Sequence, residues 1–267
     1  MPYRYETHLH TCQGSACGRS TGREHVRFYK EMGYKGVIVT DHFFGGNTAA
    51  PRTGSWKERI DWFCSGYEDA LIEGQKLGLD VFFGWEQNYQ GDEYLIYGLD
   101  KQWLLSHPEV EHWTRKEQLE GVRRYGGCVI QAHPFRDRDY ISRILLGLQF
   151  VDGIEVVNAA NRAYCDAYAH LYAREYDLFT TAGTDNHLSG EGGVTAEKLV
   201  GVETDEPLRD IHDFVRCIRQ RKGIRPIVPE GRFEVNLDEI PELPTFWLDE
   251  AEQPVPTGKR WLFESNF

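Results

Sequence analysis

The strongest constraint in this chain is a recurrence. Short apolar runs of strand character, separated by helical stretches, stop one after another on histidine, aspartate or glutamate. The first run, from Tyr3, ends in His8-Leu9-His10, and because strand side chains alternate faces, His8 and His10 point the same way. Taken alone, such a pair reads equally well as one core histidine and one solvated strand end. The second run, Gly36 to Thr40, is continuously apolar in the manner of a parallel-sheet strand and is followed at once by Asp41-His42. The third, Val81 to Trp85, stops on Glu86, with Glu93 to Gly98 close behind as a hairpin partner. Cys128 to Ala132 runs into His133, and Leu178 to Thr184 runs into Asp185-Asn186-His187.

Helical signals fill the intervals. Thr21 to Glu24 is a capping box that starts a helix ending near Gly33, and Thr114 to Glu117 is a second one. Apolar spacing predicts one long helix from about Ser55 to Leu77, a helical face made of Ile141, Ile144, Leu145 and Leu148, and a helix over 161–176. Gly153 to Asn158 reads as a further strand, Val200 to Thr204 as a seventh, and Pro207 to Arg221 as an amphipathic helix. This alternation predicts a parallel β/α barrel, in which the C-terminal ends of the strands converge on one mouth. His8, His10, Asp41, His42, Glu86, His133, Asp185 and His187 would meet there, and five successive tips of this kind point to metal binding. Residues 1–222 read as the barrel domain. Residues 223–267, with their prolines, charges and isolated aromatics (Phe246, Trp247, Trp261, Phe263), read as an appendage packed on it.

Composition narrows the partners. A length of 267 residues accommodates one large α/β domain, and the formal net charge of -12 disfavours a nucleic acid polymer. A small anion remains compatible, since metal ions supply their own positive field at short range. No window approaches the roughly 20 apolar residues of a membrane span. The six cysteines are scattered without a Cys-x-x-Cys pair, so reduced thiols and a cytoplasmic location are expected. Cys12 and Cys17 lie in the loop after His10, where they read first as small residues packed in a tight loop and second as thiolates that could reach a metal.

These motifs, in this order, resemble the PHP family, the polymerase and histidinol phosphatase superfamily, over most of residues 3–222. His8-Leu9-His10, Thr40-Asp41-His42, Gly84-Trp85-Glu86, Ala132-His133-Pro134 and Gly183-Thr184-Asp185-Asn186-His187 are similar to its successive motifs. The resemblance implies a distorted (β/α)7 TIM-like barrel with two or three divalent ions that hydrolyses phosphate esters. It also implies that His8, His10, Glu86 and Asp185 hold one ion, that Glu86 bridges to a second bound by His133, and that His42 and His187 serve a third. Asp41 is expected behind the ligands, orienting an imidazole. Two positions depart from the family. Ala16 stands where a further ligand is common, leaving His42 and His187 short of a partner unless Cys12, Cys17 or water supplies it. Glu93 stands where the family often has histidine, and reads either as a ligand of the second ion or as a solvated strand start.

Mixed imidazole and carboxylate ligands suit Zn, Mn or Fe without choosing among them. Two divalent ions against two or three carboxylates leave positive charge, which favours an anionic substrate. The expected reaction is in-line attack on phosphorus by a metal-activated hydroxide, with Asp185 or His42 handling a proton. Arg136, three residues beyond His133, and then Asn158 and Arg162 are the candidates for gripping a small phosphorylated substrate, a metabolite or a nucleotide. Two other readings compete: a hydrolase of another bond, built like the amidohydrolase barrels, and a non-catalytic domain that binds metal or ligand. The sequence is silent on oligomeric state.

Overall fold

The computed structural model describes residues 2–89, 91–195, 198–236 and 244–258. Its first half contains β1 (Tyr3–Glu6), α1 (Gly22–Glu31), β2 (Gly36–Val39), α2 (Trp56–Phe63), α3 (Ser65–Leu77), β3 (Asp80–Asn88), β4 (Glu93–Tyr97), α4 (Lys101–Ser106), α5 (Arg115–Arg124) and β5 (Cys128–Ala132). Then come β6 (Ile144–Leu146), β7 (Gly153–Asn158), α6 (Ala163–Glu175), β8 (Thr180–Gly183), β9 (Gly201–Thr204), α7 (Ile211–Gln220), β10 (Ile224–Ile227), β11 (Thr245–Leu248) and β12 (Pro254–Pro256). Both capping boxes form, at Thr21 with Glu24 and at Thr114 with Glu117, so each helix begins where its sequence signal stands. Among the described residues no helix is long and apolar enough to cross a membrane.

A nine-stranded sheet, ordered β10, β9, β1, β2, β3, β4, β5, β7, β8, curls into a nearly closed barrel. The chain just beyond β1 pairs in parallel with the chain just beyond β8 through Leu9 and Asn186, and the His10 N–H donates to the Asn186 carbonyl at 3.0 Å. Around the mouth, therefore, β1, β2, β3, β4, β5, β7 and β8 complete a ring in which β4 alone is antiparallel. That is the distorted barrel expected from the strand-tip pattern. The segment expected as a seventh strand, residues 200–204, becomes β9 and runs antiparallel to β1 at the opposite end of the barrel. Here the interior is filled by Tyr5, Ile38, Tyr97 and Ile130, and α7 covers it with Phe214, Val215 and Ile218. Outside the wall, Phe43, Phe63, Phe83 and Trp85 form an aromatic layer under α2, and burial of each such ring is worth roughly 1.5–3 kcal/mol.

Two local expectations change. The helix predicted over 55–77 is two helices, because α2 ends at Cys64 and α3 starts afresh at Ser65. The break brings Gly66 against the loop that follows His10, so close that a Cβ there would lie 1.9 Å from Thr11 Oγ1. The helical face predicted from Ile141 to Leu148 is instead strand β6, paired in parallel with β11 of the chain's last fifth. Its i, i+3, i+4 spacing fits a helix, but a partner strand from a hundred residues away takes up its backbone groups. After residue 222 the chain first extends the main sheet as β10, and then β11 and β12 form a hairpin whose Trp247 packs on Tyr172 and Tyr176 of α6. Trp261 and Phe263 lie outside the described residues.

Candidate metal centre

The end of β1 is turned into the mouth by a break in strand alternation. Tyr5 packs inside the barrel with Ile38, whereas Leu9 packs outside with Val26 and Val39, although a regular strand would put them on one face. The break falls at Glu6 and Thr7. There the buried Glu6 carboxylate accepts the N–H groups of Thr7 (2.9 Å), His8 (2.8 Å) and Thr184 (3.0 Å) and the Tyr29 hydroxyl (2.9 Å). A side chain thus satisfies donors that a strand partner would otherwise take. Beyond the break, His8 and His10 both face inward with their Nε2 atoms 3.1 Å apart.

Glu86, from β3, sits at the centre. Its Oε1 is 3.3 Å from His8 Nε2 and 3.2 Å from His133 Nε2, while Oε2 is 3.4 Å from His10 Nε2 and 2.7 Å from His42 Nδ1. Asp185 Oδ1 lies 3.1 Å from His10 Nε2 and 3.6 Å from His8 Nε2. Glu93 reaches His133 at 3.5 Å and His42 at 3.9 Å, so it joins the cluster and is no solvated strand start. Four overlapping sets could each hold an ion: His8, His10 and Asp185; His8, Glu86 and His133; His42, Glu86 and Glu93; His10, His42 and His187. The fold therefore brings all eight candidate ligands together.

The supporting groups were less visible in the sequence. Glu155, within β7, accepts His8 Nδ1–H (3.0 Å), the backbone N–H of His133 (3.0 Å) and the Asn158 amide (2.9 Å), fixing the tautomer in which His8 Nε2 carries a lone pair into the mouth. Its only signal was a carboxylate inside a strand that is buried along its whole length. Gly183 makes this pairing possible, since a Cβ there would come within 2.5 Å of His8 Cβ and 2.6 Å of Glu155 Oε1. His10 Nδ1 is matched by Ser15 Oγ at 3.2 Å, and Ser15 donates to Asp41 at 2.7 Å. Asp41 thus touches no imidazole directly, contrary to expectation. Its carboxylate takes the Thr11 N–H, the Thr11 hydroxyl and Ser15, so it orders the loop and orients His10 at one remove. His133 and Asp185 end their strands with φ of 28° and 55°, left-handed values that are costly for side-chain-bearing residues and that cluster at functional sites.

Arg136 is where the sequence suggested, paired with Asp185 and bonded to Asn158 (3.1 Å) and Asn161 (3.2 Å). Asn158 is fully buried, with its side chain divided between Arg136 and Glu155, so it positions those groups and does not present itself to a substrate. Arg162 is not in the site. As the residue preceding α6 it points outward, 64% exposed, to Asp137 and Tyr164. Cys17 Sγ lies 3.1 Å from His187 Nε2, whereas Cys12 Sγ is turned to Gln13 at 3.6 Å.

The electrostatics call for cations. Burial opposes charge throughout, yet His8, His42 and His133 hold the Glu86 carboxyl well below the usual range, and Arg136, His8 and His10 do the same for Asp185. Conversely the carboxylates around His8, led by Glu155, lift its imidazole well above the ordinary value despite burial. Burial pushes the Cys17 thiol up, but His187 and His42 outweigh it and bring it down to about 6. His42 Nδ1 and Glu86 Oε2 are buried and 2.7 Å apart, yet neither is aligned for a hydrogen bond. Glu86, Glu93, Asp185 and Glu155 against one guanidinium leave the cluster short of positive charge. Orphaned buried donor atoms and imidazole lone pairs aimed at one another fit divalent ions placed between them.

No family model matches the chain, and no curated protein does. Solved structures do. A two-domain protein from Bacteroides vulgatus containing a predicted PHP-like metal-dependent phosphoesterase superposes with a TM-score of 0.64 at 14% identity, covering 86% of this chain and 66% of that longer one. A presumed metal-dependent phosphoesterase from Bifidobacterium adolescentis gives 0.51 at 16% identity, covering 82% of this chain and 98% of that one. PsfC from Pseudomonas syringae gives 0.53 at 17% identity, over 87% and 94% of the two chains. At these identities the likeness is one of fold, and the fold is that of the PHP-like phosphoesterase structures.

Proposed function

We propose that this protein is a metal-dependent phosphoesterase acting on a small phosphorylated metabolite or nucleotide. The observation that carries the reading is the convergence on Glu86 of three imidazoles, His8, His42 and His133, within 3.3 Å, with a guanidinium one residue away on Asp185. His8, His10, Glu86 and Asp185 would hold one ion, and Glu86, His133 and Glu93 a second. Such ions supply Lewis acidity toward a phosphoryl group and lower the pKa of water from its bulk value toward about 7. Two divalent ions and Arg136 against the four carboxylates leave a small positive excess, which favours an anionic substrate over a neutral amide.

The chain's own residues do the rest. Arg136, held in place by Asn158 and Asn161, presents its guanidinium beside Asp185 where phosphoryl oxygens would sit. Asp185 has one oxygen on Arg136 and the other on His10, so it is committed to charge balance. His42, at the edge of the cluster, is the better placed of the two to hold or pass a proton to the leaving oxygen. A narrow cleft beside His133 is lined by Asp92, Glu93, Arg136 and Arg143, and the net charge disfavours a polymeric nucleic acid as substrate. Purified protein loaded with Mn or Zn should hydrolyse members of a panel of phosphomonoesters and cyclic nucleotides and leave amides intact. Amide hydrolysis without phosphoester hydrolysis would favour the amidohydrolase reading. Full metal occupancy with no turnover would favour a binding domain.

A further inference from the structure

We propose that Cys17 is a metal ligand, forming with His42 and His187 a thiolate site for a zinc-class divalent cation on the outer side of the cluster. The inference rests on the metal reading above and concerns a residue outside the usual imidazole and carboxylate set. The position where a further ligand is common carries Ala16, which has no donor atom, and Cys12 is turned away to Gln13. Cys17, one residue on, has its Sγ 3.1 Å from His187 Nε2, and the His187 ring is 6.2 Å, centroid to centroid, from that of His42.

Geometry makes this more than a stray thiol near a ring. His187 Nδ1 donates to the Asp185 carbonyl at 2.8 Å, so Nε2 is left with its lone pair toward the sulfur. Two ligands of one tetrahedral zinc, with bonds of about 2.3 Å to sulfur and about 2.1 Å to nitrogen, stand roughly 3.6 Å apart. An ion between Cys17 and His187 therefore requires them to separate by only about 0.5 Å. The loop carrying the thiol is fixed to the histidine it faces, because the N–H groups of Arg19 (2.7 Å) and Ser20 (3.2 Å) donate to the His187 carbonyl. Its other turns are closed by Ser15 N–H to Thr11 O (2.9 Å), Gly18 N–H to Ser15 O (3.0 Å) and Ala16 N–H to Asn47 O (2.8 Å). His42 adds a buried nitrogen, Nδ1, that has no aligned hydrogen-bond partner. His10, which also stands with His42 and His187, is shared with the inner positions, since its Nδ1 is on Ser15 and its Nε2 lies 3.1 Å from both His8 and Asp185.

Binding exchanges the thiol proton, released to solvent, for a metal–sulfur bond. A soft thiolate shifts the preference of this position toward zinc and away from magnesium or manganese, while the carboxylate-rich positions around Glu86 keep theirs. The full chain, stripped with a chelator and reloaded with cobalt(II), tests this. Wild-type protein should develop the near-ultraviolet charge-transfer band of a cobalt–thiolate bond. Cys17→Ser should lose the band and one metal equivalent while retaining the rest, and Cys12→Ser should keep both. A cobalt-loaded wild type without the band, or a band that survives Cys17→Ser, overturns the assignment and leaves the Glu86 centre standing. Failure to bind any cobalt overturns both.

Discussion

The two halves of the cluster are built differently. The inner half, His8, His10, Glu86, His133 and Asp185, stands at strand ends and is at most 5% exposed. The rear nitrogen of each β1 imidazole is engaged, His8 by Glu155 and His10 by Ser15. The outer half, His42, His187 and Cys17, sits at the rim, with Glu93 between the two halves at 3.5 Å from His133 and 3.9 Å from His42. His187 has a side chain 29% exposed with its rear nitrogen on a backbone carbonyl, and His42 Nδ1 lacks an aligned partner. The difference teaches that ligand type alone does not make a preorganised site. A second layer that fixes tautomer and ring orientation does, and here that layer lies behind the inner half. Under the proposed function and the Cys17 assignment, the inner positions should bind metal more tightly than the outer one.

The harshest way to break this contrast is Glu86→Gln, which should remove both inner ions and lower kcat/KM on the order of 10³-fold. Metal analysis that finds unchanged content would contradict the central role of Glu86. Next is Glu155→Gln, which touches no ion. It should weaken metal affinity or activity by roughly 10–100-fold by freeing the His8 ring, and a smaller change than for His187→Gln would make the inner half no better braced than the outer. Arg136→Ala should raise KM for phosphate esters about tenfold, the scale of one lost charge-assisted hydrogen bond. Arg162→Ala should stay within about twofold, as its guanidinium is on the surface. Equal effects from the two arginines would show that Arg136 has no privileged place.

The smallest effect concerns stability. His25 on α1 is buried, with Nε2 donating to the His10 carbonyl (3.0 Å) and Nδ1 accepting from Ser189 (2.7 Å). Burial pushes its imidazole down from 6.5 to about 4, a shift that the His10 carbonyl only partly opposes. A base whose folded pKa is depressed favours the neutral form, so its contribution is complete above pH 6.5 and is lost as pH falls toward 4. Between neutral pH and about pH 5 His25 alone should account for about 2 kcal/mol of lost stability, read by urea unfolding of the chelator-stripped protein as the amount by which His25→Gln loses less than the wild type. An unchanged slope would mean that His25 titrates normally and does not lock the His10 backbone.

Much of the centre was legible because ligand chemistry has few residue types and strand ends have one address. His8, His10, Glu86, His133 and Asp185 follow from the tips alone. Glu6 and Glu155 were not seen, because an acid in an apolar strand looks like an interruption until its donors are known; its cost when unpartnered is the clue that was available. The Asp41 reading placed the carboxylate one contact too close, since Ser15, which intervenes, is one small loop residue among many. Arg162 failed for the opposite reason. Proximity in sequence to a strand end does not say which way the residue preceding a helix points.

By itself the sequence determined the alternation of strands and helices, the two capped helix starts and the meeting of histidines and acids at one end of a barrel. Periodicity and capping are local, and strand ends in a β/α barrel converge whatever the loops do. Only the tertiary structure decided that β1 breaks its alternation at Thr7, that Ile144–Leu146 is a strand held by β11, and that Cys17 faces His187. The β6 pairing and the thiol contact each depend on a partner more than a hundred residues away, and the β1 break on a Glu6 carboxylate that also takes the Thr184 N–H; no local pattern encodes contacts at those separations.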